Sequence, residues 1–414
     1  MTAPTHTDKN DGRPHACVFS THRYTDVRIF NRQILSLVQA GWRVTYVSVG
    51  DDYGQEMISG VKVIKVPLGK GLRQRIERTW QVFRTAVAQR ADVYQFHDPE
   101  FLPLAAAARC LLGKPFIYDI HEFYAIKFPL RLPTRFGIRK LGAATIAWLE
   151  LILGRICGAV SAVYGEHVSL FRRAGCLAAW TPNYASLSDF TIPELTQEDW
   201  QRRRDTVVFI GTLDRSKGAL VMVDIAKILK ERRPQINIRV CRRFLVPKQE
   251  QEMLEYACER GAEDAITWLP NVKGHELPGI VRQAMVGLSP LQDVGQYRVA
   301  VPTKFFEYMS QGLAIVASDL PPSREYVLGP GCGVVVPPAD AQAYADAVMD
   351  LLDHPEQARE MGLKGQQAFR EQYNWQAIAP QLCSLYWQLC PTSKRGFLKP
   401  ATARESLHAH HNQR

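Results

Sequence analysis

Little in this sequence advertises a known chemistry outright. The nine cysteines include no C-x-x-C pair and no metal-ligand spacing, which excludes zinc-ribbon and thioredoxin-type sites and leaves them reading as reduced core thiols. The chain has no G-x-x-x-x-G-K-[ST] loop and no G-x-G-x-x-G fingerprint, so neither a P-loop nucleotidase nor a standard dinucleotide binder is expected. The longest apolar run, Leu141 to Tyr164, is interrupted near its centre by Glu150 and Arg155. Each is costly in hydrocarbon, so the run reads as buried helix and strand and not as a membrane span. Residues 1–14 are polar and lack the apolar centre of a signal peptide. They are expected to be a disordered tail, and together with the free cysteines they predict a cytoplasmic protein.

What is present is alternation. With 414 residues the chain is long enough for two domains, and each half reads β, α, β. In the first half HACVFST is a strand, Ile29, Phe30, Ile34, Leu35 and Leu37 mark the apolar face of a helix stopped at Gly41, and RVTYVSVG is the next strand. Asp26 and Arg28 follow the first strand, as ligand contacts in a cleft or as an N-cap aspartate and a surface arginine. The strands DVYQF and PFIYD each end in a polar cluster: His97, Asp98 and Glu100 after one, Asp119, His121 and Glu122 after the other. Ligands of parallel sheets sit at carboxyl ends, so these side chains are candidates for one sheet edge. Singly, each reads equally as a structural histidine or a turn aspartate. Metal binding by two histidines and several carboxylates is conceivable, yet no i, i+4 histidine pair supports it.

A turn-rich, polar stretch at 183–204 reads as a linker. Beyond it TVVFIG is a strand, GTLDRSKG its loop from Gly211 to Gly218, and ALVMVDIAKILKERRP a periodic helix. Arg215 and Lys217 stand just before that helix, placed to neutralise a diphosphate. INIRVCRRF, AITWLP and AMVGLSPL are further strands, and PTKFFEYMSQGLAIVASD from Pro302 to Asp319 reads as a short helix, a glycine stop and a buried parallel strand. Lys304 and Glu307 share one face of its first turn. A carboxylate there could accept both hydroxyls of a ribose, with the lysine holding phosphate; the other reading is an ordinary surface pair. A helix from Ala339 to Leu352, another at Trp375 to Leu389, and a basic, disordered tail from Pro391 complete the expectation.

The net charge of +10 suits an anionic partner. It is concentrated in residues 70–90, with Leu72, Ile76, Trp80 and Phe83 on an apolar side, and in KFPLRLPTRFGIRK at 127–140, which holds five bases and no acid. Bases mixed with apolar residues fit an anionic membrane surface; a core-facing helix and a loop are the alternative. No nucleic-acid reader motif is present, and no nucleic acid is expected.

Taken together, TDVRIF, FHDPEFLPL, YDIHEFY, PNY at 182–184, FIGTLDRSKG, PTKFFEYMSQGLAIVASD and CGVVVPP resemble the family-4 retaining glycosyltransferases, in the branch that builds bacterial polysaccharide and lipopolysaccharide. The resemblance covers residues 15 to 390. It implies a GT-B fold: two facing Rossmann-like doubly wound α/β domains, 15–190 on the acceptor side and 191–374 on the nucleotide-sugar side, with a C-terminal helix at 375–390 returning to the first and a basic tail at 391–414. It implies catalytic roles for His121, Lys217 and Glu307, with Glu307 on the ribose and Lys217 on the departing diphosphate. Gly211, Arg215, Thr303 and Lys304 complete the implied donor site, and Asp26, Arg28, His97, Asp98 and Glu122 are acceptor or cleft candidates. Two departures stand out: Val299 occupies the position of the family's first glutamate, and Thr212 the position of its usual arginine after the strand glycine. The implied reaction moves a sugar from a nucleotide-diphosphate donor to a glycan or lipid-linked acceptor, with retention, on the inner face of the cell membrane. No D-x-D pair occurs, so no cofactor and no catalytic metal are expected. A sugar-nucleotide epimerase of the same fold and a non-catalytic subunit are the rival functions.

Overall fold

The computed structural model describes residues 12–68, 71–121, 136–270 and 276–397. The chain divides into two compact units: one runs to Asn183 and resumes at Ile378, and the other spans Tyr184–Ala377.

The first unit is built on eight strands: β1 (His15–Arg23), β2 (Arg43–Gly50), β3 (Gly54–Ile58), β4 (Val61–Pro67), β5 (Val93–Phe96), β6 (Phe116–Ile120), β7 (Gly158–Ala162) and β8 (Leu177–Trp180). Their order is β3-β4-β2-β1-β5-β6-β7-β8. All neighbours pair in parallel except β3 with β4. The central strands are buried end to end, as their unbroken apolar runs require of a sheet covered on both faces. The antiparallel edge was not expected from the sequence. Its hairpin turns on Ser59 and Gly60, both at positive φ (51° and 79°), the backbone of a two-residue turn that follows the twist of the strands.

The second unit carries β9 (Thr206–Phe209), β10 (Asn237–Cys241), β11 (Thr267–Leu269), β12 (Val286–Ser289), β13 (Ala314–Ser318) and β14 (Gly333–Val336), all parallel in the order β11-β10-β9-β12-β13-β14. The helix Ala219–Arg232 buries Met222, Val223, Ile225, Ala226 and Leu229, and the helix Ala341–Asp353 buries Tyr344, Val348, Leu351 and Leu352, against one core with the strands.

Several expectations need correcting. The helix Phe136–Cys157 exposes Leu141, Trp148, Leu149 and Ile156, while Cys157 at its end joins β7 in the core and Leu151 and Leu153 pack against it. Glu150 is buried as well, with the Tyr118 hydroxyl 2.6 Å away, and burial pushes its carboxyl up. In the basic helix Leu72–Ala88, Val82, Phe83 and Ala86 face the core, while Ile76 and Trp80 are exposed. Residues 127–135 of the second basic segment lie outside the described residues. The polar stretch after 183 contains a helix, Gln197–Arg203, capped reciprocally by Thr196 and Asp199 and buried at Trp200 and Arg203. The tail from Pro391 is ordered at first: Thr392–Phe397 forms a turn, and Lys394 Nζ lies 2.9 Å from Asp92 Oδ2. At the other end the Arg43 N–H donates to the Pro14 carbonyl at 2.9 Å. All nine cysteines are free, but Cys110 and Cys258 are exposed and not core. Among the described residues no helix is long and apolar enough to cross a membrane.

Candidate functional site

In the second unit the chain order reverses between β9 and β12, the place where parallel sheets open a crevice at their carboxyl ends. Tyr308 fixes a helix over that point. Its hydroxyl accepts from the Ile210 N–H at 3.2 Å and donates to the Leu288 carbonyl at 2.9 Å, joining the ends of β9 and β12. Gly287 makes room for the ring: a Cβ there would lie 2.6 Å from it. The seven-residue helix Lys304–Ser310 therefore sits with Lys304 and Glu307 above the switch point, ended by Gly312 at φ 71°.

Lys304 is buried, and its Nζ has no hydrogen-bond partner among the described residues. The amine lies 3.8 Å from the Phe209 ring centroid and would lie 3.9 Å from a Cβ built on Gly211, whose φ of 102° suits a residue with none. Burial, aided by the Lys217 charge and opposed by Glu307 and Asp214, pushes its pKa down to about 7. Lys217 comes from the adjoining loop. Its Nζ donates to Thr212 Oγ1 at 2.6 Å and to Asp214 Oδ2 at 2.8 Å, and Asp214 caps the turn by accepting the Lys217 N–H at 2.9 Å. Gly218 closes the loop at φ 85°, where a Cβ would come within 2.1 Å of the Pro290 carbonyl oxygen.

In the first unit a second group forms at the carboxyl ends of β5, β6, β7 and β8. The Asp119 carboxylate, fully buried, accepts from His97 Nδ1 at 3.0 Å, Arg28 Nη2 at 3.1 Å, Ser161 Oγ at 2.5 Å and Gln33 Nε2 at 3.3 Å. Burial opposes its charge, but Arg28 and His97 outweigh that and hold the carboxyl well below the usual range. Gln95 donates to Gln33 Oε1 at 2.5 Å and approaches His97 Nε2 at 3.2 Å, while its own carbonyl accepts from the Tyr386 hydroxyl at 2.7 Å. This network assigns the His97 proton to Nδ1. The His121 ring is 6.4 Å from that of His97 and 5.8 Å from that of His22, and burial lowers its pKa against the pull of Asp119. His97, Asp119 and His121 offer ligand atoms within 4.8 Å of one another. A cation there would face the Arg28 guanidinium and compete with the Gln95 and Asp119 bonds of His97, so the donor set fits a hydrogen-bonded network better than a metal.

Among solved structures, sucrose-phosphate synthase from Thermosynechococcus elongatus matches with a TM-score of 0.70 at 20% identity, over 91% of this chain and 99% of that one. Anabaena HepE in complex with UDP matches at 0.66 and 14%, over 91% and 100%. Two family models cover the chain in succession, a glycosyl transferase 4-like domain over residues 27–180 and glycosyl transferases group 1 over residues 194–368. The chain belongs to the GT-B glycosyltransferases. A phosphatidyl-myo-inositol mannosyltransferase of Mycobacterium leprae is 25% identical over 297 residues, 71% of this chain and 73% of that protein. A D-inositol 3-phosphate glycosyltransferase of Corynebacterium urealyticum is 30% identical over 195 residues, 45% of this chain and 44% of that protein.

In this glycosyltransferase the candidate residues are distributed unevenly. Gly211, Lys217, Lys304 and Glu307 gather at the β9–β12 switch point, and Thr303 is exposed at the start of the same helix, its carbonyl accepting from Phe306 at 3.0 Å. Arg215 points elsewhere: it is exposed and its Nε donates to Glu252 at 2.6 Å. Val299 is half-buried after a short turn, Gly295–Arg298. Arg28, His97 and His121 share the Asp119 network. Asp26 caps the turn Val27–Ile34 by accepting the Ile29 N–H at 3.0 Å, and Asp98 accepts the Thr21 N–H at 2.7 Å. Glu100 is tied to Arg75, and Glu122 lies outside the described residues. Sequence reasoning missed Gln33, Gln95, Ser161 and Tyr386, and also Thr181, whose carbonyl accepts from Arg28 Nη1 at 3.2 Å and whose hydroxyl lies 2.7 Å from Ser161 Oγ. A polar residue inside an otherwise apolar strand or helix face, as at Gln33, Gln95 and Ser161, was the available signal.

Proposed function

We propose that this glycosyltransferase moves a sugar from a nucleotide-diphosphate donor, with retention of configuration, to a glycan or lipid-linked acceptor of cell-surface polysaccharide. The observation that carries the donor assignment is the grouping of Lys217, Lys304 and Glu307 at the switch point of the second unit. The anomeric carbon must release a diphosphate through an oxocarbenium-like state. Charge supplied at the leaving oxygens lowers that barrier most, and two amines supply it, Lys304 beside the bare backbone of Gly211 and Lys217 at the adjoining Thr212. Glu307 takes the ribose hydroxyls, and Arg28, His97, Asp98 and Asp26 serve the acceptor side with His121. With cations provided by side chains, no metal is assigned to the reaction. The UDP complex of HepE and the mannosyl- and glycosyltransferase names of the relatives support a nucleotide-sugar donor.

Attachment to the inner face of the cell membrane is supported by Ile76 and Trp80, exposed on a helix that also carries Arg73, Arg75, Arg78 and Arg84. A second reading of the acceptor, an inositol or inositol lipid, is favoured by the names of both relatives.

The test is a thermal-shift screen of uridine and guanosine diphosphate sugars followed by transfer assays with lipid-linked, glycan and inositol acceptors. A stabilising donor, transfer to an acceptor, and loss of transfer in Lys217→Met and Glu307→Gln without loss of fold are expected. Release of epimerised free sugar without transfer, or full turnover in both variants, would remove the reading.

A further inference from the structure

Lys304 is the feature of the second unit that ordinary stability does not explain. A buried amine without a partner is costly, since most buried polar groups in proteins are hydrogen-bonded, and Lys304 Nζ is one of the few buried polar atoms of this unit left without a bond among the described residues. It faces Phe209 and Gly211 of the β9 end, Glu307 on its own helix, and Lys217 and Asp214 on the loop after β9. Tyr308 turns its hydroxyl away to Leu288, and Cys241 of β10, whose thiol burial pushes up, adds no charge. The one carboxylate of that loop, Asp214, is already bound to Lys217. The position thus presents a second amine at the Gly211 backbone with nothing anionic bonded to it.

We propose that Lys304 gives up part of its charge in the empty enzyme, the more so above neutrality, and takes up a proton from solvent as the donor's diphosphate settles beside Gly211, so that donor binding and proton uptake are one event. No covalent bond to the donor forms; the amine lone pair takes the proton, and the ammonium then pairs with a phosphate oxygen. This rests on the donor site being the one assigned above. It explains how a chain with Thr212, and with Arg215 committed to Glu252, still brings two positive charges to the leaving group. It also makes the burial of Lys304 intelligible: a neutral amine costs far less there than an ammonium would, and the anion itself creates the charge that holds it.

The test is titration calorimetry of the full chain with UDP-, GDP- and ADP-sugars in buffers of differing ionisation enthalpy. Their diphosphate diesters do not titrate near neutrality, so any linked proton belongs to the protein. With an empty-state pKa of about 7, uptake of about nine-tenths of a proton per donor is expected at pH 8 and about one-tenth at pH 6. Lys304→Met and Lys304→Arg are each expected to abolish the uptake, Met with weaker binding and Arg with a fixed charge; Met is close to isosteric and guards against a failure of Arg to fold. A proton taken up elsewhere, at His121 for example, would persist in both variants. Binding without uptake, or uptake that survives in Lys304→Met, overturns the inference and leaves the donor site intact. No binding of any donor overturns the site assignment and the inference with it.

Discussion

Asp119 and His97 are locked together 3.0 Å apart, Oδ2 to Nδ1, with the carboxylate fully buried and Arg28 Nη2 3.1 Å from the same oxygen. Removing the charge while keeping the shape strands Arg28 without its counterion. Asp119→Asn is therefore expected to cost about 3 kcal/mol, the scale of breaking one side of a buried pair. Urea unfolding followed by fluorescence measures it, and an unchanged midpoint would show the network to be dispensable.

Acid should find the same site. The folded-state carboxyls of Asp119 and Asp98 lie below their unfolded values, so the stability they contribute is present above the unfolded value of about 4 and is lost as pH falls toward the folded ones. A melting temperature that drops between about pH 5 and pH 3 in the wild type, and drops less in Asp119→Asn, is the expected result. Parallel curves for the two proteins would contradict it.

Gly218 is held at φ 85° with the Pro290 carbonyl oxygen 2.1 Å from where a Cβ would stand. Gly218→Ala is expected to lose about 1–2 kcal/mol from backbone strain alone, and more from that clash. Because Lys217 is the preceding residue, nucleotide-sugar affinity should fall beyond what lost folding explains. Comparing binding enthalpy per folded molecule with thermal stability separates the two effects.

Ile76 and Trp80 are exposed at 65% and 51% on a helix whose other face is core. Replacing both with serine should leave the melting temperature within a degree or two and release the protein from anionic vesicles. Sedimentation with phosphatidylglycerol and phosphatidylcholine liposomes provides the reading. Retained binding, or binding indifferent to lipid charge, would assign the surface another role.

The sheet strands were legible because burial on both faces writes itself as unbroken apolar runs, from VVF at β9 to AIVAS at β13. The helix carrying Lys304 and Glu307 was legible too, since its glycine stop and apolar stripe are local. The burial of Lys304 was not, because it comes from Phe209 and Gly211, nearly a hundred residues earlier in the chain. The exposure of Trp80 and Trp148 was equally hidden: an apolar residue on an amphipathic helix reads as core unless the neighbouring strands are known to stop short of it. Gln95 and Tyr386 show the same limit, since a bond between residues so far apart leaves no spacing to read. The pairing of Arg215 with Glu252 was hidden for a simpler reason: Glu252 had no sequence signal linking it to that loop.

The first unit is a discontinuous stretch of polypeptide, and the Tyr386 hydroxyl reaching Gln95 belongs to its late portion. On the ribosome, the Tyr184–Ala377 unit is available whole before residue 386 has been joined to the chain. The earlier-made half must therefore wait, its Gln95 side-chain carbonyl unanswered, until residue 386 has been added. Ordering of the Asp119 cluster is in this way held back until residue 386 has been made, and a chain cut short before it would carry the whole Tyr184–Ala377 unit together with an incomplete first unit.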